Sequence, residues 1–276
     1  MTGKIFRKRM GLGKGVYLLP NMCTTASLFC GFFSIVKSLS GNYVAAAWAI
    51  LLSGIFDLLD GRLARLTHGE SEFGIEYDSL VDLASFGLAP GIMVYTWTLF
   101  SLKKIGWLAA FLYFACGAMR LARFNLQHNT IEGKRFQGLP IPIAAYLLAT
   151  YVIFFQDNHP IPPEGSYIVL AMTVALALLM VSNIGYLSFK ELDFKHKNSF
   201  FALVSLVIGI FIVALSPEST MFFLVLGYVS FGIAEHLIRM RKKGSFVARM
   251  KARRQAKRAE IENRQQAIEI DGTNIH

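Results

Sequence analysis

The sequence predicts an all-α, polytopic membrane protein with about eight transmembrane helices. Three observations predict it. Of 276 residues, 54% are hydrophobic and only 17% charged, and the mean hydropathy is +0.46, whereas a soluble domain carries about 25% charged residues. Apolar stretches of about 20 residues recur, each long enough to cross a hydrocarbon core of roughly 30 Å. The charges are also segregated, with 28 Lys and Arg against 18 Asp and Glu gathered between and beyond the apolar stretches. Together these exclude an ordinary soluble enzyme and a soluble basic nucleic-acid binder; no nucleic-acid partner is expected.

In chain order, a basic arm over residues 1–15 precedes spans at about 16–37, 42–60, 78–100, 105–123, 139–156, 166–187, 199–215 and 219–238, and a basic tail over 239–276 follows. Residues 16–238 form one transmembrane catalytic domain in this reading. Polar turn clusters separate the spans: Ser40-Gly41-Asn42, the proline-rich stretch 157–165, and Ser216-Pro217-Glu218. The first span is long enough to cross, and Pro20 and Asn21 interrupt it, which argues against a cleaved leader. Cys23, Cys30 and Cys116 fall in apolar segments without metal-ligand spacing and read as buried small hydrophobes.

Orientation follows from the cations. With the N-terminus inside, only Lys37, Lys103 and Lys104 of the 28 cations lie outside, in accord with the positive-inside rule. An even number of spans returns both basic termini to the cytoplasmic face. The tail reads as a basic segment near anionic headgroups.

Ionisable groups within or at the edge of spans are functional candidates. Asp57 and Asp60 lie three apart at the cytoplasmic end of the second span, and Asp78 and Asp82 lie four apart at the start of the third, so each pair shares a helix face. Four carboxylates this close repel unless cations sit among them, and hard oxygen ligands suit magnesium or manganese. Arg-paired structural carboxylates, with Arg62 and Arg65 as partners, and a cation-coupled transporter are the competing readings. A transporter places its carboxylates near the midplane on broken helices, whereas these lie toward one face.

The pattern around the aspartates is specific. Asp57-x-x-Asp60-Gly61-x-x-Ala64-Arg65, followed after eight residues by Gly74-x-x-x-Asp78-x-x-x-Asp82, resembles the signature of the CDP-alcohol phosphotransferase family at every specified position. The resemblance implies a metal-dependent transferase fold with Asp57, Asp60 and Asp78 holding one divalent ion, Mg2+ or Mn2+, and Asp57, Asp78 and Asp82 a second. It implies Asp82 as the base for the attacking alcohol, and Gly61, Arg65 and Ser71 as contacts to the cytidine diphosphate portion. Asn21 and Thr24, in a Pro-Asn-x-x-Thr stretch, join these contacts by the same resemblance.

The acceptor is read from further motifs. Tyr17-Leu18-Leu19-Pro20-Asn21, Arg120-Leu121-Ala122-Arg123-Phe124-Asn125 and Gln137-Gly138-Leu139-Pro140-Ile141-Pro142 resemble the bacterial membrane-integral phosphatidylserine synthases. This implies CDP-diacylglycerol and L-serine as substrates, phosphatidylserine and CMP as products, and an inner-membrane enzyme with a cytoplasmic site. Homodimers are common in the family. Arg120 and Arg123 at one span end suit the serine carboxylate, and Asn125 and Gln137 offer neutral hydrogen bonds. Arginines would equally suit glycerol 3-phosphate or inositol phosphate, so that alternative stays open on the residues alone.

Overall fold

The computed structural model describes residues 18–67, 72–128, 136–158, 165–186, 216–236 and 238. The chain divides into two compact units, residues 1–229 and 230–276. The first holds the helices α1 (Leu18–Leu39), α2 (Tyr43–Thr67), α3 (Glu72–Asp82), α4 (Ala89–Trp97), α5 (Lys104–His128), α6 (Ile141–Asn158) and α7 (Tyr167–Val181). An eighth, α8, spans Pro217–His236 and begins in this unit. A π-helical turn, Leu83–Leu88, joins α3 to α4, and a 3-10 turn, Leu99–Leu102, follows α4. One antiparallel pair of two-residue strands, β1 (Phe136–Gln137) and β2 (Gly185–Tyr186), is the exception to helix among the described elements.

Among the described residues, five helical segments are long and apolar enough to cross a membrane: Pro20–Leu39, Tyr43–Ala64, Phe73–Trp97, Lys104–Leu126 and Pro217–His236; Ile141–Gln156 and Tyr167–Val181 are shorter apolar helices. Helices thus stand at seven of the eight expected spans. The span expected at 199–215, the N-terminal arm and the C-terminal tail lie outside the described residues.

Three details differ from the sequence expectation. Pro20 does not interrupt the first span: it sits in the first turn of α1, where a backbone N–H has no intrahelical partner to lose. The second span does not end at Asp60, because α2 continues to Thr67. The third begins at Glu72, so Asp78 and Asp82 lie inside a helix and not at its start.

α1 and α2 form the most extensive interface, and the sequence explains it. Thr24, Ser27, Cys30, Ser34 and Ser38 are buried on one face of α1, and Ala46, Ala49, Ile50 and Ser53 on one face of α2. Small residues at helical spacing let two backbones approach where lipid provides no hydrophobic drive for association. The opposite face of α1 exposes Phe29, Phe32 and Leu39, as expected of a lipid-facing stripe. Gly41, at φ +76°, makes the turn, and Asn42 Oδ1 accepts from the Ala45 N–H at 3.1 Å to cap α2.

The π-turn follows from Pro90. Proline has no N–H for the carbonyl of residue 86, and its ring crowds that carbonyl. The helix widens there, the Ala89 N–H bonding to the Ala84 carbonyl, and the Phe86 carbonyl accepts instead from the buried Tyr113 hydroxyl at 3.0 Å. On the other side, Ser85 Oγ donates to the Ser27 carbonyl at 3.2 Å, while Ser27 and Ser53 Oγ pair at 2.7 Å. The π-turn is thereby tied to α1, α2 and α5 immediately after Asp82. A Cβ at Gly31 would stand 2.8 Å from Ser85 Cα. Gly31→Ala is therefore expected to destabilise the fold by about 1–3 kcal/mol, read as a lower unfolding midpoint in detergent; an unchanged midpoint contradicts this packing.

The strand pair fixes the approach to α6. Gly138, at φ +84°, bonds through its N–H to the Ile184 carbonyl at 2.9 Å, and the Leu139 N–H reaches the Leu179 carbonyl at 3.1 Å. Any Cβ on Gly138 would collide with the Met180 carbonyl. This pins the stretch 136–140 against the end of α7 and sets where α6 begins.

Candidate active site

α2 and α3 bring the two aspartate pairs together. One carboxylate oxygen from each of Asp57, Asp60 and Asp78 lies within 4.8 Å of the others. Asp82, one turn beyond Asp78, has its carboxyl in hydrogen-bond contact with that of Asp57. Two carboxylates at that separation need a shared proton or an intervening cation. Asp60 Oδ2 and Asp82 Oδ1 are buried without a hydrogen-bond partner, although a buried acceptor left unsatisfied is strongly unfavourable.

These features fit a divalent metal. Three oxygens around an octahedral Mg2+ at about 2.1 Å stand about 3.0 to 4.2 Å apart, so the three aspartates need close by less than about 2 Å. An ion among them would also supply what the unpartnered oxygens lack. The expected first ligand set, Asp57, Asp60 and Asp78, is thus assembled in space; Asp82 adjoins it through Asp57.

The surroundings come from four other places in the sequence. Thr24 Oγ on α1 is within hydrogen-bond reach of the Pro20 carbonyl, at 3.1 Å, and of the Asp60 carboxylate. With one proton it serves one of them at a time, so Thr24 supports Asp60 from α1. Asn21, one turn earlier, is half-buried, and its carbonyl accepts from Thr25 Oγ at 2.7 Å. Thr25 Oγ also pairs with the Tyr77 hydroxyl at 3.1 Å, linking α1 to α3 next to Asp78. Gly61 is exposed, with open space where a side chain would be.

The two arginines separate in role. Arg120 lies within electrostatic reach of Asp82 and Asp57, with its guanidinium 5.3 Å from the Phe124 ring centroid. Arg123 instead donates to Asn183 Oδ1 at 2.7 Å and to the Val181 carbonyl at 3.4 Å, joining α5 to the end of α7. A cation beside the last carbonyl groups of a helix is favourably placed. Asn125 Nδ2 donates to Ser79 Oγ at 2.9 Å, bracing α3 beside Asp78. Gln137 is in β1, opposite Gly185; its side chain, like that of Arg65, and the whole of Ser71 lie outside what is described.

Sequence reasoning passed over the groups beneath the aspartates. Ser53 and Gly54 lie four and three residues before Asp57, on the face that carries it, and helical spacing marks them. Tyr146 lies close enough for the charges of Asp57 and Asp82 to act on it, yet it stands almost ninety positions from Asp57, and no local pattern singles it out.

Residues 17–182 match the family model described as CDP-alcohol phosphatidyltransferase. A CDP-diacylglycerol–serine O-phosphatidyltransferase of Helicobacter pylori is 39% identical over 227 residues, covering 82% of this chain and 94% of that protein. The enzyme of the same name from Bacillus subtilis is 35% identical over 173 residues, 63% of this chain and 92% of that protein. An archaetidylserine synthase of Methanothermobacter thermautotrophicus is 37% identical over 175 residues, 61% of this chain and 69% of that protein. The matched region contains all four aspartates and every helix through α7, and the chain belongs to the CDP-alcohol phosphatidyltransferase family.

Proposed function

We propose that this protein is an integral membrane CDP-diacylglycerol–serine O-phosphatidyltransferase, with its site and both termini on the cytoplasmic side of a bacterial inner membrane and a homodimeric assembly. The observation that carries the reading is the assembled carboxylate cluster, with two unpartnered buried oxygens, at the positions of the family signature. The names of the relatives support serine as the acceptor.

In this reading Asp57, Asp60 and Asp78 would hold one divalent ion and Asp57, Asp78 and Asp82 a second. Bound there, Mg2+ or Mn2+ supplies positive charge against the diphosphate of the donor. The acyl chains of CDP-diacylglycerol stay in the bilayer, so the lipid enters between helices without extraction. The exposed Gly61 leaves room for the nucleotide beside α2, and Arg65, Ser71, Asn21 and Thr24 are assigned to it by the family pattern. Asp82 takes the proton of the serine hydroxyl. The serine oxygen bonds to the phosphorus that bears the diacylglycerol, the bond from that phosphorus to the bridging oxygen breaks, and CMP leaves with that oxygen and its electron pair. Arg120 is assigned to the serine carboxylate, since Arg123 is engaged with α7; Gln137 is assigned to the acceptor by the motif in which it lies, whereas Asn125 braces α3 through Ser79.

Acceptor competition tests this. Purified protein given CDP-diacylglycerol and divalent metal is expected to release CMP at least about 10-fold faster with serine than with glycerol 3-phosphate or inositol phosphate, because a site built for one set of polar groups rejects acceptors that leave them unpaired. Preference for either phosphate overturns the acceptor.

A further inference from the structure

Tyr146 enters the site from α6, the helix whose start is fixed by the strand pair and by Gly138. Its ring stands edge-on to Phe86 of the π-turn, with centroids 6.0 Å apart and planes at 89°. Its hydroxyl lies against the backbone of Gly54, where any Cβ would collide with it. Gly54 is one helical turn before Asp57 on the same face of α2. Phe86 is four residues beyond Asp82 in the chain. The phenol is therefore seated between the elements that carry Asp57 and Asp82, and both carboxylates act on it electrostatically. The side chain is half-buried beside these carboxylates. A half-buried hydroxyl with a proton to give, within electrostatic reach of two carboxylates of which one has the unpartnered oxygen Asp82 Oδ1, has an obvious use.

We propose that Tyr146 is a positioning residue for the transfer reaction: its hydroxyl, lodged over Gly54, donates a hydrogen bond to the Asp57–Asp82 carboxylate pair and holds Asp82 aimed at the acceptor hydroxyl. This rests on the reading of Asp82 as the base. A carboxylate shared between metal binding and proton removal must keep one oxygen directed at the acceptor, and a fixed neutral donor restrains it without adding charge. Gly54 is then required because the phenol occupies the volume of its side chain.

The experiment compares wild type, Tyr146→Phe and Asp82→Asn as full-length protein in detergent micelles, measuring CMP release against CDP-diacylglycerol, serine and Mn2+ in turn. Tyr146→Phe keeps the ring against Phe86 and Gly54 and removes only the oxygen. It is expected to lower kcat roughly 10-fold, with KM for CDP-diacylglycerol within about two-fold and an unchanged unfolding midpoint. Phe86→Leu, which keeps the hydroxyl but removes the edge contact that seats it, is expected to give a smaller fall in kcat with the same constant donor KM. A wild-type kcat in Tyr146→Phe overturns the proposal, as does a loss that appears in KM and the unfolding midpoint while kcat is kept. Full turnover in Asp82→Asn overturns the base assignment instead, so the two failures are distinct.

Discussion

Replacing Asp82 by asparagine is expected to leave CDP-diacylglycerol bound while its turnover falls by roughly 10³-fold. The amide has the shape of the carboxyl but cannot take the proton of the attacking hydroxyl. Asp82 reaches the rest of the cluster through Asp57, whereas the triad of Asp57, Asp60 and Asp78 closes without it. Donor binding therefore survives the substitution in large part. Single-turnover CMP release, set beside a direct measurement of donor binding, checks both halves; full turnover removes Asp82 from the base role.

Asp57 is expected to behave differently, because with Asp78 it belongs to both proposed metal sets and it also links Asp82 to the cluster. Asp57→Ala should lose activity by about 10³-fold or more, equivalent to roughly 4 kcal/mol or more of barrier, and should lose metal-dependent donor binding with it. In wild type, chelation with EDTA should abolish CMP release and added Mn2+ or Mg2+ should restore it; in Asp57→Ala the same additions should restore little. Metal-independent turnover in the wild type would sink the two-metal reading, and metal titration by calorimetry gives a second check independent of activity. Contrasting the two variants is informative: one separates binding from turnover, and the other removes both.

The aspartates were legible in the sequence because their chemistry is written in local spacing. Residues three or four apart on a helix share a face whatever surrounds them, so Asp57 with Asp60 and Asp78 with Asp82 form pairs before any tertiary contact exists. The helix ends were less legible. Apolar runs report which residues contact lipid, and the run in α2 stops where Gly61 and Arg62 begin, but the backbone hydrogen bonds continue to Thr67. A helix that leaves the apolar layer does not have to end there. The π-turn is partly legible, since Pro90 must leave a carbonyl without its helical partner. Which group satisfies that carbonyl, Tyr113 from α5, is a fact of packing.

The arginines show the same division. Arg120 and Arg123 lie three apart and look equivalent as a sequence pattern. In the fold one faces the charges of Asp57 and Asp82 while the other is bonded to Asn183 and the Val181 carbonyl, because the end of α7 packs beside only one of them. Asn125, expected on the acceptor side, is braced against Ser79 and so helps to hold α3.

What the sequence by itself determined is the membrane-embedded helical class, the family and the four carboxylates, because hydropathy and helical periodicity act over a few turns of chain. What only the tertiary structure decided is which distant groups surround those carboxylates: Thr24 from α1, Arg120 from α5 and Tyr146 from α6. Their positions depend on small-residue contacts, a proline-widened turn and a two-residue strand pair that bring separate helices to one point, and such convergence has no period for a sequence to display.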